Sequence, residues 1–308
     1  MRHQKTARKV IWVFLVVSLL CLVFIIINNE KKKQKAFTIT TTTTIIGNIV
    51  QNIVGDQAQV EVIIQSNTDP HSYLLKYASD PPRLQHADLI IGNGLLLEGN
   101  LDQALQAIYK THPTKVYFIS QALDNHKIIS DANNVPDPHI WLRTDFIMQI
   151  LPAITEQIKD KDPANEELYE TNSQQYLAKL QALDEKRANI ITSIPKEKRH
   201  LIMPHNAFGY WSAYGFKINS LKGVSTKLQS SFQKRKTIVD KIIQHHIPAI
   251  FLEESTSNKG IKAIIQDCAK RGHHLKKYML YTDTLAEGKD YIATMEYNLD
   301  NIQQALAV

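Results

Sequence analysis

Short apolar runs alternate with amphipathic stretches along the chain from about residue 37 to its end. Runs rich in β-branched and aliphatic residues, which are typical of strands, lie at 36–42, 60–64, 87–91, 115–119, 200–203, 248–252 and 275–280. Helical periodicity is found at 45–54, 79–86, 101–110, 261–271 and 292–307. This alternation predicts an α/β fold in which mostly parallel sheets are flanked by helices. Ligands of such sheets bind beyond the carboxyl ends of the strands.

A long amphipathic segment interrupts the alternation in the middle of the chain. Asp162 and Pro163 give a helix start, with the aspartate as the cap. A helix over 163–193 is about 46 Å long. Ser173 and Arg187 interrupt its apolar face, which disfavours a coiled-coil dimer, so we predict a helix that packs along its own protein and joins two lobes. The apolar face consists of Tyr169, Tyr176, Leu180, Leu183, Ile190 and Ile194.

These patterns divide the 308 residues into four parts. An N-terminal segment at 1–36 precedes an α/β lobe at 37–143. A helical connector at 144–197, which contains the long helix, leads to a second α/β lobe at 198–308. The predicted fold is therefore two α/β lobes, each with a mostly parallel sheet, bridged by one long rigid helix.

The N-terminal segment contains an uncharged apolar run at 10–27 with basic residues on both sides. This run is long enough to span a bilayer. A removed signal peptide is the alternative, but no small-x-small cleavage site follows the run closely. Cys21 is preceded by the bulky Leu20, which does not suit a lipoprotein signal. We expect an extracytoplasmic protein tethered to the cytoplasmic membrane by 10–27.

The net charge of +6 does not belong to the folded body. Residues 1–36 hold eight of the 36 basic side chains and one of the 30 acidic ones, so the remainder is close to neutral. Nucleic-acid binding needs a basic face on the domain itself. The charge distribution therefore gives no support to a nucleic-acid partner.

Histidine recurs after proline at three distant points of the chain. The tripeptide Asp-Pro-His ends at His71 and again at His139, and a third Pro-His step ends at His205. Proline fixes its own φ and holds the preceding residue extended, so each histidine is set at a defined angle near the end of a strand or loop. Three unrelated surface histidines among the twelve present are the alternative. The repeated pattern favours one shared metal site.

At this point several motifs together resemble a known family, the metal-binding receptors of ABC importers for zinc, manganese and iron (cluster A-I), which includes the zinc receptors and the manganese-type adhesin lipoproteins. The resemblance covers about residues 37 to 308. The motifs are TDPHSY at 68–73, ADLI at 87–90, GNG at 92–94 with Leu97 and Glu98, DPHIWL at 137–142, HNAFGY at 205–210, FLE at 251–253 and TDTL at 282–285.

The resemblance implies one divalent transition-metal ion, zinc, manganese or iron, held in a cleft between the lobes. Carried over residue by residue, the metal ligands are His71 and His139 from the first lobe and His205 and Asp283 from the second. The implied partners are a cognate ABC permease in the membrane and the metal as transported ligand. A monomer is expected, and no enzymatic activity.

Three imidazoles and one carboxylate suit borderline divalent ions. Four protein ligands without an open position describe a carrier better than a hydrolase, which keeps a position for water. A metallohydrolase with Glu253 as its base remains one alternative, although an acceptor that holds a ligand is the favoured role of Glu253. A surface adhesin stabilised by its metal is the other. The histidine pairs at 245–246 and 273–274 are interpreted as solvated surface residues.

Overall fold

The computed structural model describes residues 37–227 and 231–307. The predicted anchor at 10–27, with Cys21, lies outside the described residues. Within the described part of the chain, no helix is both long enough and apolar enough to cross a membrane.

The first lobe is built on a four-stranded sheet in which every neighbouring pair is parallel, with the order β2-β1-β3-β4. Its strands are β1 (Thr38–Thr43), β2 (Gln59–Ile64), β3 (Leu89–Gly92) and β4 (Val116–Phe118). Its helices are α1 (Thr44–Val54), α2 (Asp80–His86) and α3 (Leu101–Thr111). These elements lie within one or two residues of the predicted ones, because each apolar run is bounded by a turn or cap residue.

The connector consists of two antiparallel neighbours, α4 (Thr144–Lys161) and α5 (Glu166–Ser193). A 3-10 turn at Pro163–Asn165 precedes α5. The predicted cap is therefore wrong in detail, because Asn165 and not Asp162 occupies the N-cap position of α5. The Asp162 carboxylate instead accepts hydrogen bonds from Asn165 Nδ2 at 2.8 Å and Tyr169 Oη at 2.5 Å, which holds the turn between the helices.

The second lobe contains two parallel strand pairs, β5 with β6 and β7 with β8, and β5 also lies beside β7. The sequence patterns did not predict β6 and α6, because polar and basic residues at 217, 219 and 234–236 obscure the apolar pattern. The strands are β5 (His200–Met203), β6 (Lys217–Ser220), β7 (Ala249–Glu253) and β8 (Lys276–Leu280). The helices are α6 (Phe232–Gln244), α7 (Lys259–Lys270) and α8 (Tyr291–Leu306).

Helix α5 packs against α1 and α4 of the first half and against α8 of the second. The fold is thus the predicted one, two α/β lobes joined by a long helix that packs on its own chain. Both polar interruptions of its apolar face are satisfied internally. Ser173 accepts a hydrogen bond from Thr155 Oγ1 at 2.8 Å, and the Arg187 guanidinium bonds Asp184 and lies 4.3 Å from the ring centre of Tyr214.

The inward face of α5 should contribute strongly to stability. Leu180 is fully buried on this face, so Leu180→Ala should lower the free energy of unfolding by about 2–5 kcal/mol through lost burial and a residual cavity. Chemical denaturation followed by circular dichroism measures this. The neighbouring exposed Gln181→Ala is the control and should change stability by less than about 0.5 kcal/mol. Equal effects of the two changes would contradict the packing described.

Candidate metal centre

Four side chains from four separate loops meet between the lobes. Each of His71, His139, His205 and Asp283 offers one ligand atom, and these atoms all lie within 4.8 Å of one another. All four residues are at most 3% exposed. Among residues 37–227 and 231–307, this is the one group of three or more such side chains that could hold a metal ion.

The separations within this group suit a small tetrahedral cation. His139 Nε2 lies 3.2 Å from His71 Nε2 and 3.1 Å from His205 Nε2. Asp283 Oδ1 lies 3.5 Å from His139 Nε2, and Asp283 Oδ2 lies 3.6 Å from His205 Nε2. Ligand atoms about 2.0–2.1 Å from a tetrahedral ion such as zinc are about 3.3 Å apart. The four separations bracket that value, so one ion fits between the side chains.

The two Asp-Pro-His tripeptides share one local hydrogen bond. Asp69 Oδ1 accepts from the backbone N–H of His71 at 3.0 Å, and Asp137 Oδ1 accepts from the backbone N–H of His139 at 3.0 Å. An aspartate that bonds the backbone two residues ahead fixes a turn. The repeat in the sequence is therefore a repeated turn that presents a histidine, and the aspartate closes this turn with a hydrogen bond.

Two of the histidines are oriented by a buried carboxylate behind the ring. Asp137 Oδ1 contacts His139 Nδ1 at 2.7 Å, and Glu253 Oε2 contacts His205 Nδ1 at 2.5 Å. With Nδ1 occupied in this way, Nε2 of each ring is directed at the centre, an arrangement common behind metal-ligating histidines. Glu253 also accepts from Thr256 Oγ1 at 2.9 Å. The Glu253 carboxylate thus holds a histidine of the cluster, which is the role that the sequence favoured for it over that of a hydrolytic base.

Burial and neighbouring charges shift the pKa values of three residues of the cluster. Burial opposes a charge on His205, but the Glu253 and Asp283 carboxylates outweigh it and hold the pKa of this imidazole well above its usual value. Burial lowers the pKa of His71 well below its usual value, and the neighbouring His139 lowers it further against the opposing effect of Asp283. Burial would raise the pKa of Asp283, yet the charge and hydrogen bond of His205 bring it below the ordinary range.

The loop between β3 and α3 supports the backbone that carries His139. Asn93 Nδ2 donates to the carbonyl oxygen of Pro138 at 3.0 Å. Glu98 Oε1 in turn accepts from the backbone N–H of Asn93 at 2.6 Å and from Thr42 Oγ1 at 3.0 Å. Burial raises the pKa of Glu98 to about 7. The GNG motif and Glu98 therefore act on the site through the Pro138 peptide.

Hydrogen bonds join the two lobes beside the proposed ligands. Trp141 Nε1 donates to the carbonyl oxygen of Thr282 at 2.6 Å, and Tyr210 Oη donates to the carbonyl oxygen of Asp137 at 2.8 Å. Gly209 packs so closely on this region that an added Cβ would collide with Asp137 Oδ2. The missing side chain at position 209 thus allows the close approach of the second lobe.

The residue patterns indicated the three histidines of the cluster and the family resemblance added Asp283, whereas the roles of some supporting groups were not predicted. Asp69 and Asp137 were visible as the first residues of the repeated tripeptide. Asn93 stood in the GNG motif without an assigned role, and Ser255 gave no signal, because the partners of both residues are distant in sequence. The Ser255 hydroxyl donates to Asp283 Oδ2 at 3.0 Å.

The remaining histidine pairs contribute nothing to this group. His245, His246 and His274 are exposed, and His273 Nε2 contacts the carbonyl oxygen of Ile247 at 2.7 Å.

Comparisons with known proteins agree with this geometry. The family described as "Zinc-uptake complex component A periplasmic" (ZnuA) matches residues 39–305. The manganese ABC transporter substrate-binding lipoprotein PsaA of Streptococcus mitis is 32% identical over 276 residues, which cover 85% of this chain and 87% of PsaA.

Two solved structures share the fold. The periplasmic zinc binding protein TroA from Treponema pallidum has a TM-score of 0.82 and 29% identity, and covers 89% of this chain and 100% of its own. Fe(III)-bound YtgA from Chlamydia trachomatis has a TM-score of 0.78 and 25% identity, and covers 87% and 97%. On these matches and the buried cluster of three histidines and one aspartate, the chain belongs to the ZnuA family (cluster A-I) of metal-binding solute receptors of ABC importers for zinc, manganese and iron, which are transporter binding proteins and not enzymes.

Proposed function

We propose that His71, His139, His205 and Asp283 are the ligands of one divalent transition-metal ion, which the protein captures between its lobes and delivers to a cognate membrane permease. The observation that carries this proposal is the convergence of four buried side chains whose ligand atoms all lie within 4.8 Å of one another. Three imidazole nitrogens and one carboxylate oxygen suit zinc, iron and manganese among the common cations.

The proposed cellular setting follows from the family and from the N-terminal sequence. The family description is of a periplasmic component, and the similar PsaA is named a lipoprotein. An extracytoplasmic monomer tethered at 10–27 would hold its cargo site close to the permease. We propose that the first lobe comprises residues 37–143, the connector residues 144–197 and the second lobe residues 198–308.

The ligand set predicts a clear mutational hierarchy. His139→Ala should weaken zinc binding by at least about 100-fold, because it removes a ligand that contacts all the others. Glu253→Gln should weaken it by about 10- to 100-fold, because it alters only the group behind His205. Competition titration against a chromogenic chelator measures both effects. His245→Ala, a change of an exposed histidine, is the control and should bind as the unchanged protein does.

Two outcomes would overturn the proposal. Unchanged zinc affinity in His139→Ala would remove the ligand assignment. If circular dichroism showed that the protein unfolds when a chelator removes its metal, the adhesin alternative with a purely structural metal would be favoured. We expect the secondary structure to persist without metal, since the core is continuous through both lobes independently of the site.

Metal binding should also release protons. The raised pKa of His205 means that this ring carries a proton at neutral pH in the metal-free protein, whereas His71, whose pKa is lowered, is neutral there. A bound cation must displace the proton, so about one proton should leave per ion, and affinity should fall about tenfold per pH unit below the His205 pKa. Calorimetry in buffers of different ionisation enthalpy measures this; binding enthalpies that do not depend on the buffer would contradict it.

The lobes should move only slightly when the metal binds. A cation that bridges the lobes favours the closed arrangement by its differential affinity, while α5 packs against helices of both halves and limits their swing. Small-angle scattering with and without zinc should therefore give nearly the same radius of gyration. A large increase on metal removal, as in wide hinge opening, would be inconsistent with this restraint.

A further inference from the structure

The second lobe carries a positive charge that the near neutrality of the folded body conceals. Residues 198–308 hold 16 basic and nine acidic side chains, whereas residues 37–197 hold 12 basic and 20 acidic ones. The two parts therefore differ in formal net charge, +7 against −8, with histidine neutral. A separation of this size creates surface potentials that select partners by their charge.

Much of the positive charge lies on the outer faces of α6 and α7. The two helices pack against each other, and their apolar residues, among them Ile238 and Ile264, are buried in the core of the second lobe. Together with Arg271, which directly follows α7, they carry eight basic and two acidic side chains. The basic residues are Lys234, Arg235, Lys236, Lys241, Lys259, Lys262, Lys270 and Arg271.

A groove between α6 and α7 collects four of these cations in a space of about 300 Å³. Its charged and aromatic lining residues are Phe232, Arg235, Lys236, Asp267, Lys270 and Arg271. The Asp267 carboxylate lies 3.3 Å from Arg235 Nε and 3.8 Å from Lys270 Nζ, and Arg271 pairs with Asp240 at 2.6 Å. Two carboxylates thus face four cations, and the groove keeps a positive charge.

An exposed aromatic ring lies beside these cations. Phe232, the first residue of α6, is 71% exposed, and the Arg235 guanidinium carbon lies 5.0 Å from its ring centre. A single exposed ring is common on protein surfaces. Clustered lysines and arginines around such a ring, however, are the composition by which surface helices bind anionic membranes, since the cations meet the headgroups and the ring enters the acyl boundary.

We propose that the α6–α7 face binds the anionic phospholipid headgroups of the membrane to which the protein is tethered. Phosphate oxygens accept bidentate hydrogen bonds from arginine and attract lysine as a point charge. The nine residues at 28–36 can span at most about 30 Å, so a tether at 10–27 keeps the lipid surface at high effective concentration. The inference rests on this proposed setting alone and adds a second contact with the membrane.

A nucleic acid and a second copy of the chain are the other occupants that a basic face suits. The family description is of a periplasmic component, a setting that favours lipid over nucleic acid. A second copy would offer its acidic part at 37–197, but an acidic protein surface gives Phe232 no apolar layer to enter. Both alternatives are separated from the membrane by the experiment below.

The test uses the full chain anchored in lipid vesicles and follows the acylation rate of individual lysines by mass spectrometry. Lys236 and Lys270 should react at least about threefold more slowly in vesicles that contain phosphatidylglycerol than in phosphatidylcholine alone. Lys110 and Lys179, which are exposed in the first lobe and the connector, should react equally in both. Salt at about 1 M, which shortens the Debye length to about 3 Å, should remove the protection.

Two changes of the face locate the contact. Arg235→Gln with Arg271→Gln removes two charges from the groove and retains both reporter lysines, and Phe232→Ala removes the ring. Each should abolish at least about half of the protection. Lys110→Gln with Lys179→Gln removes the same number of charges elsewhere and should behave as the unchanged protein. Circular dichroism checks that every variant is folded.

Equal reactivity of the reporter lysines in the two kinds of vesicle would overturn the inference, as would equal protection of Lys110 and Lys179. Protection that grows with protein density in neutral vesicles would identify a second copy, and stronger protection by a DNA duplex than by anionic vesicles at equal phosphate concentration would identify a nucleic acid. Either result overturns it. A full chain that does not float with neutral vesicles would overturn the proposed tether and the inference with it, whereas a failure to bind zinc would overturn only the metal proposal.

Discussion

Three histidines and one aspartate are buried together between the lobes, and the surrounding loops hold their side chains in place. The ligand atoms that these four side chains offer all lie within 4.8 Å of one another. The pKa values of His71 and His205 are displaced in opposite directions, because burial lowers the first whereas the Glu253 and Asp283 carboxylates raise the second against the effect of burial. A divalent cation bound there would replace a proton of the cluster with its own charge.

Hydrogen bonds from neighbouring side chains hold the residues of the cluster in place. Carboxylates of Asp137 and Glu253 fix two rings from behind, and the Ser255 hydroxyl donates a hydrogen bond to Asp283. These groups are in turn held by short-range turns in their own loops. Such layering is what a cargo site requires, since side chains that are oriented before the ion arrives lose little conformational entropy when it binds.

Much of the fold and three of the four residues of the cluster could be predicted from the sequence, because local patterns determine them. The βα alternation, the long helix and the repeated Asp-Pro-His turn are local patterns, and each depends on residues close together in the chain. Asp283 had no such pattern and was reached only through resemblance to a family. The roles of Ser255 and Asn93 could not be predicted, because a hydrogen bond to a residue 28 or 45 positions away leaves no periodicity. Strand β6 and helix α6 were missed because surface lysines and arginines dilute their apolar faces.

Two hydrogen bonds between the lobes end at peptide groups beside His139 and Asp283. Thr282, whose carbonyl accepts from Trp141, directly precedes Asp283, and Asp137, whose carbonyl accepts from Tyr210, stands two residues before His139. Separating the halves pulls on these two peptide groups at once. A movement that separates the halves would therefore displace Asp283 and His139 together, so the arrangement of the cluster depends on the contact between the lobes.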